Sequence, residues 1–146
     1  MCNWWTEEDR RAFEQLNERL VAQYDAYEAF PGVHVNGRFT LGENLGDLGG
    51  VNLAFDGLQR HLAQTGARAE IDGLSPEQRF FISWARIWRT KYRDDALKTQ
   101  IRTDPHSPGH YRAVGPLVNV DAFYEAFDIR EGSPLYRAAE ERVRIW

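Results

Sequence analysis

Only one cysteine, Cys2, stands among the 146 residues. That excludes an internal disulfide and a cysteine zinc site, both of which need several thiols. No apolar run approaches the ~20 residues that a membrane-crossing helix requires. Met1 to Trp5 lack the basic and apolar regions of a signal peptide, so the chain reads as soluble and carries no address. Positive charge is scarce as well. The 18 Lys+Arg are outnumbered by 22 Asp+Glu, with a net of -6 over residues 1–73 and +2 over residues 74–146. Neither half has the positive balance of a nucleic-acid binder. Internal repeats, low-complexity tracts and a sustained alternation of apolar and polar residues are missing too, so strands are not expected. What is present is ordinary globular material: 42% hydrophobic residues and 13% aromatic, five of them tryptophan. A chain of this length and composition is expected to form a single domain over residues 1–146, with a core that needs no staples.

The remaining signals are helical. Thr6 is a cap before an acidic first turn (Glu7, Glu8, Asp9), and Phe13, Leu16, Leu20, Tyr24 and Tyr27 then share one face. This spacing predicts an amphipathic helix ending near Phe30, followed by a loop from Pro31 to Arg38 with Asn36-Gly37 as its turn. A second helix is predicted from Thr40 through Leu62. Gly42, Gly46, Gly49, Gly50 and Gly57 lie inside it, each costing about 1 kcal/mol relative to alanine. Such a cluster calls for close approach of another backbone or of an ion. Ser75-Pro76-Glu77-Gln78 opens a third helix with Phe81, Trp84, Ala85, Trp88 and Tyr92 on one side and Arg86, Arg89 and Arg93 opposite. A shorter helix is predicted over Asp95–Arg102 and another after an Asn119 cap, containing Phe123, Ala126 and Phe127. Asp104 to Pro116, with three prolines, reads as a loop. The fold class is therefore mainly α.

Several residues can carry chemistry. Glu43 and Asp47, four apart, share one helix face about 40° and ~6 Å from each other, which suits a cation. Thr40-Leu41-Gly42-Glu43 equally fits a capping box, with Glu43 folded back onto the Thr40 amide. Both readings stand on the residues alone. His106 and His110 have a helical ligand spacing, but Pro105, Pro108 and Gly109 argue against a helix there. A loop carrying His106 and Arg112 better suits gripping a carbonyl oxygen, or is simply a polar surface loop. The Arg86/Arg89/Arg93 face could touch phosphates or be a solvated face; Asp94 and Asp95 interrupt it.

The run Asn36-Gly37-Arg38-Phe39-Thr40-Leu41-Gly42-Glu43-Asn44-Leu45-Gly46-Asp47-Leu48-Gly49-Gly50 closely resembles a signature of the neprilysin and endothelin-converting-enzyme family of zinc metallopeptidases. Trp4-Trp5-Thr6, Asp104 to Gly109 with Arg112, and Val143-Arg144-Ile145-Trp146 resemble the same family in the same order. The resemblance implies a thermolysin-like (zincin) catalytic domain hydrolysing peptide bonds in short peptides. In it Glu43 would be the third protein ligand of a catalytic zinc, and Asp47 the carboxylate orienting a ligand histidine. His106 would stabilise the tetrahedral intermediate, and Arg112 would hold a substrate carbonyl and pair with Asp47.

The departures shape the expectation. None of His34, His61, His106 or His110 is followed by Glu, so the family's His-Glu-x-x-His helix is not here. The chain starts where the family sequence continues past that helix and ends at the family's C-terminus. It is therefore expected to be the C-terminal helical portion of the catalytic domain, a fragment inactive alone. Two zinc ligands would come from a missing N-terminal segment. Its partners would be a peptide substrate and either that segment or a second copy of the chain, covering the glycine-rich face of the second helix. Neither nucleic acid nor a membrane segment is expected. Ile129 and Val143 stand where many animal members have a bridge, which looks bacterial, and the resemblance suggests an extracytoplasmic location. The alternative is a non-catalytic helical interaction module that retains the scaffold.

Overall fold

The computed structural model describes residues 4–145; Met1, Cys2, Asn3 and the terminal Trp146 lie outside the described residues. The molecule is mainly α, as the periodicity predicts. Helix α1 (Glu7–Asp25) starts where expected, with the Thr6 hydroxyl accepting from the Asp9 amide at 3.0 Å. It stops one turn short of Phe30. The residues behind it form a small antiparallel hairpin, β1 (Glu28–Phe30) and β2 (Val33–His34), turning at Pro31-Gly32. Gly32 has φ of 75°, a conformation glycine adopts without strain. Three- and two-residue strands are too short to leave an alternating pattern, which is why the sequence conceals them.

Helix α2 (Leu41–Thr65) runs for 25 residues. The Asn36-Gly37 turn that delivers it is held by the Asn36 carboxamide, which accepts from the Phe39 amide at 2.9 Å. The Gly37 N–H donates to Asp25 Oδ1 at 2.6 Å, and a Cβ there would fall on the Val21 carbonyl oxygen. Because that obstacle is backbone, Gly37→Ala is expected to destabilise the chain by about 2 kcal/mol, measured by urea denaturation. The same change at Gly46 meets open space and should stabilise it slightly.

Helix α3 (Pro76–Ile87) begins with the expected capping box between Ser75 and Gln78 but ends at Ile87, short of Tyr92. Arg89 and Arg93 therefore sit on a connector, and the three arginines do not share one helix face. Helix α4 (Asp94–Thr103) matches its prediction to within a residue. A further helix, α5 (Gly109–Val114), occupies part of the expected loop, starting directly after Pro108. Pro105 and Pro108 lie ahead of this helix and do not interrupt it, so they are compatible with it. The last helix, α6 (Asp121–Phe127), is preceded by Val120 at its cap position rather than Asn119. Asn119 instead is buried and gathers three bonds. Its Nδ2 donates to Gln23 Oε1 and the Gly115 carbonyl, and its Oδ1 accepts from the Val143 amide at 2.8 Å. It thereby ties α1, the end of α5 and the C-terminal segment together.

The core is built around Phe81, whose ring stacks on Phe55 at 5.1 Å and meets the edge of Phe123 at 5.4 Å. Val143 is buried in the same cluster and Ile129 packs against it, so both lie on apolar surroundings. Gly42, Gly46, Gly50 and Gly57 line one side of α2 with nothing opposite them, beside Leu53, which is 70% exposed. No helix among the described residues is long and apolar enough to cross a membrane.

Candidate active site

The N-terminal half of α2 is locked to the segment preceding α5 by a line of buried polar side chains. Thr40 Oγ1 donates to the Asn36 carbonyl at 3.0 Å, Asn44 Nδ2 donates to Thr40 Oγ1 at 2.9 Å, and Ser107 Oγ donates to Asn44 Oδ1 at 2.8 Å. Asn44 and Ser107 are both essentially inaccessible. A buried chain of satisfied hydrogen bonds fixes register, since breaking one member strands the next without a partner. Thr40 is thus occupied as a crosslink, and its side chain makes no capping bond to α2. The Thr40 amide is taken by the Asn36 carbonyl. The capping-box alternative for Glu43 is therefore corrected: its carboxylate faces another residue altogether.

That residue is His106. Its Nε2 lies 2.9 Å from Glu43 Oε2, and its Nδ1 lies 2.6 Å from Asp104 Oδ1, which also accepts from the His106 amide at 3.0 Å. These bonds from the His106 amide and ring hold the Asp104 carboxyl below the ordinary range. Both ring nitrogens face carboxylate oxygens, so a neutral ring can donate to only one at a time. His106 and Glu43 are each about two-fifths exposed, at 39% and 44%, leaving the pair open to solvent on one side.

One turn further along α2, Asp47 accepts a two-pronged bond from Arg112 of α5: Nε to Oδ2 and Nη2 to Oδ1, both 2.7 Å. This parallel fork is the strong geometry for a guanidinium and a carboxylate. The other face of the guanidinium rests on the Trp88 ring, 3.8 Å from its centroid. Burial would lower the Arg112 pKa, but the bonds and charge of Asp47, with a smaller share from Glu43, outweigh it and leave it raised. The arginine is a fixed cation. A cavity of about 280 Å³ opens beside this cluster, with His106, Arg112, Trp88 and Gln100 among its lining residues.

Glu43, Asp47, His106 and Arg112, up to 69 positions apart in sequence, thus converge on one end of α2. His110 does not join them; it is exposed on α5, its ring against Tyr111. Asp104 and Trp88 are contacts the sequence reading gives no part in the site. For Asp104 the signal is present, an acid two residues before a histidine across a proline. For Trp88 none is visible, since it reads as one more ring on an apolar stripe.

A catalytic zinc takes three protein ligands. Among the described residues no three His, Cys, Asp or Glu side chains come together as such a set. Glu43 offers an accessible carboxylate and Asp47 is committed to Arg112, so these residues fit one position of a zinc site and not the whole of it.

The likenesses to known proteins run along the whole chain. It is 35% identical to human neprilysin over 150 aligned positions, covering 100% of this chain and 20% of that protein. The neutral endopeptidase of Lactococcus lactis subsp. lactis (strain IL1403) is 36% identical, covering 98% of this chain and 21% of the relative. Among solved structures, Mycobacterium tuberculosis zinc metalloprotease ZMP1 in complex with an inhibitor superimposes with a TM-score of 0.94 at 45% identity, over 100% of this chain and 23% of that one. The chain thus spans about a fifth of the length of these relatives. With the family model for peptidase family M13 matching residues 1–143 as well, sequence and fold agree: the chain belongs to peptidase family M13.

Proposed function

We propose that this chain, a single domain over residues 1–146, is the C-terminal part of the catalytic domain of a zinc-dependent metalloendopeptidase acting on short peptides. Glu43 supplies one zinc ligand, and two histidine ligands come from a segment N-terminal to it. When bound, zinc supplies Lewis acidity that polarises a carbonyl and acidifies water. The observation that carries the reading is the convergence of Glu43, Asp47, His106 and Arg112 in a member of a peptidase family.

The chain's own groups have separable tasks. Asp47, fixed by Arg112, is a carboxylate acceptor that can set the tautomer and orientation of an incoming histidine ligand. His106, with Asp104 on Nδ1, turns its Nε2 toward the Glu43 side of the site, where an N–H at that atom is a donor to developing negative charge on a carbonyl oxygen. Arg112 presents a permanently charged donor to a substrate carbonyl. The glycine side of α2 is where the completing segment packs, because a face without side chains admits a second helix closely. The site of action is extracytoplasmic, as the family resemblance suggests. Purified complete polypeptide is expected to carry one zinc per chain and to cleave short peptides, with activity lost to a chelator and restored by zinc. A complete polypeptide that neither holds zinc nor cleaves peptides would leave the interaction-module reading in its place.

A further inference from the structure

Glu43 and Asn44 are consecutive on α2, and His106 and Ser107 are consecutive between Pro105 and Pro108. The two pairs meet position by position. Glu43 Oε2 lies 2.9 Å from His106 Nε2 at the half-exposed surface, and one residue further along each segment Ser107 Oγ donates to Asn44 Oδ1 at 2.8 Å in the interior. These contacts differ in what they can hold. A part-exposed pair of histidine and carboxylate is a weak tie, and in the peptidase reading the Glu43 carboxylate serves the metal rather than the histidine. The buried bond has no such competitor. Asn44 and Ser107 are each 1% exposed, so neither solvent nor a further segment packed on this chain reaches them.

The stretch that carries His106 needs a tie of this kind. Among the described residues, the backbone of residues 105–107 makes no hydrogen bond to another backbone group, and Pro105 and Pro108 have no N–H to give. Asp104 orients the ring and accepts from the His106 amide, but it belongs to the same stretch and moves with it. The Asp47–Arg112 fork grips α5 five residues past Ser107 and leaves the position of His106 itself open. Ser107 Oγ joins the stretch to α2 directly. Its acceptor Asn44 is held in turn by Thr40, and Thr40 by the Asn36 carbonyl, so each donor along the line is committed to one acceptor. A group that must meet developing charge has to be held to within about 0.5 Å, which calls for support from buried neighbours of this sort.

We infer that Asn44 and Ser107 are positioning residues of the peptidase site, their buried bond setting where His106 stands relative to Glu43 while neither residue touches substrate or metal. The inference rests on the peptidase reading above. The test uses the complete zinc-loaded enzyme carrying Ser107→Ala or, separately, Asn44→Ala, either of which suffices, with steady-state kinetics on a neutral short peptide, zinc content and thermal melting. Each variant is expected to lower kcat about tenfold, as a small misplacement can, while KM stays within about twofold of the parent and zinc remains bound. The decisive comparison adds Ser107→Ala to His106→Gln. Because the bond acts through His106, the addition should lower kcat by less than about twofold in that background. A merely structural crosslink would lower kcat by the same factor in both backgrounds, and that result overturns the inference. So does an unchanged kcat in both single variants, or loss of zinc or of a cooperative melt in both. In each of these cases the parent enzyme still cleaves peptide and the peptidase reading stands. A parent that neither holds zinc nor cleaves peptide overturns both.

Discussion

Replacing Glu43 by valine in the complete enzyme is expected to empty it of zinc and abolish peptide hydrolysis, with little loss of fold stability. The two halves of this result separate a ligand from a helix cap. A capping carboxylate contributes about 1 kcal/mol to stability and nothing to metal. The structure gives Glu43 no capping bond, since the Thr40 amide is already satisfied by Asn36. What the substitution removes from the folded chain is a half-exposed contact with His106, and pairs of that exposure are worth under about 1 kcal/mol. Removing a ligand from a three-residue site is far more costly, because even partners that only orient a ligand change affinity by about 10- to 100-fold. Metal analysis and thermal melting of the same sample check both halves. Stoichiometric zinc retained in Glu43→Val would show that Glu43 is not a ligand.

His106→Gln is expected to act on rate alone, lowering kcat by about 100-fold or more while KM stays near its original value and zinc content is unchanged. One preorganised donor to a developing oxyanion contributes on the order of 3 kcal/mol, realised only as charge builds on the carbonyl oxygen. Glutamine retains an N–H donor but cannot reproduce the two-sided hold of Asp104 on the ring and backbone amide. Steady-state kinetics on a neutral peptide read this directly. A kcat within threefold of the parent would assign His106 a structural part in the loop and return the oxyanion role to Arg112 or to the metal.

The long elements were legible because helices of ten or more residues repeat their pattern. The Thr6 and Ser75 caps fixed two starts, and the apolar positions of α1 and α3 placed Tyr24 and Phe81 in the core. Short elements were not. The five residues of β1 and β2 cannot display a period, and α5 was hidden because Pro105 and Pro108 precede it rather than interrupt it. That Glu43, Asp47, His106 and Arg112 belong together was suggested only by the resemblance. Their spacing alone admitted a cap for Glu43 and a surface loop for His106. What no linear pattern contained was the supporting set: Asn44 reaching Ser107 across 63 positions, Arg112 lying on Trp88, and Asp104 turning His106 toward Glu43. Each is a tertiary contact of a residue type with a common alternative role. Asn119 illustrates the same point, since an Asn before a helix suggests a cap and here it bonds three other segments instead.

The central claim is that residues 1–146 hold one carboxylate corner of a zinc site and depend on histidines outside them for the rest. Zinc calorimetry on the isolated 146-residue chain, paired with a peptide-cleavage assay on the same preparation, tests it most directly. One carboxylate with water is a weak zinc site, so the account predicts binding weaker than about 10 μM and no turnover. Sub-micromolar zinc affinity accompanied by peptide cleavage would contradict it.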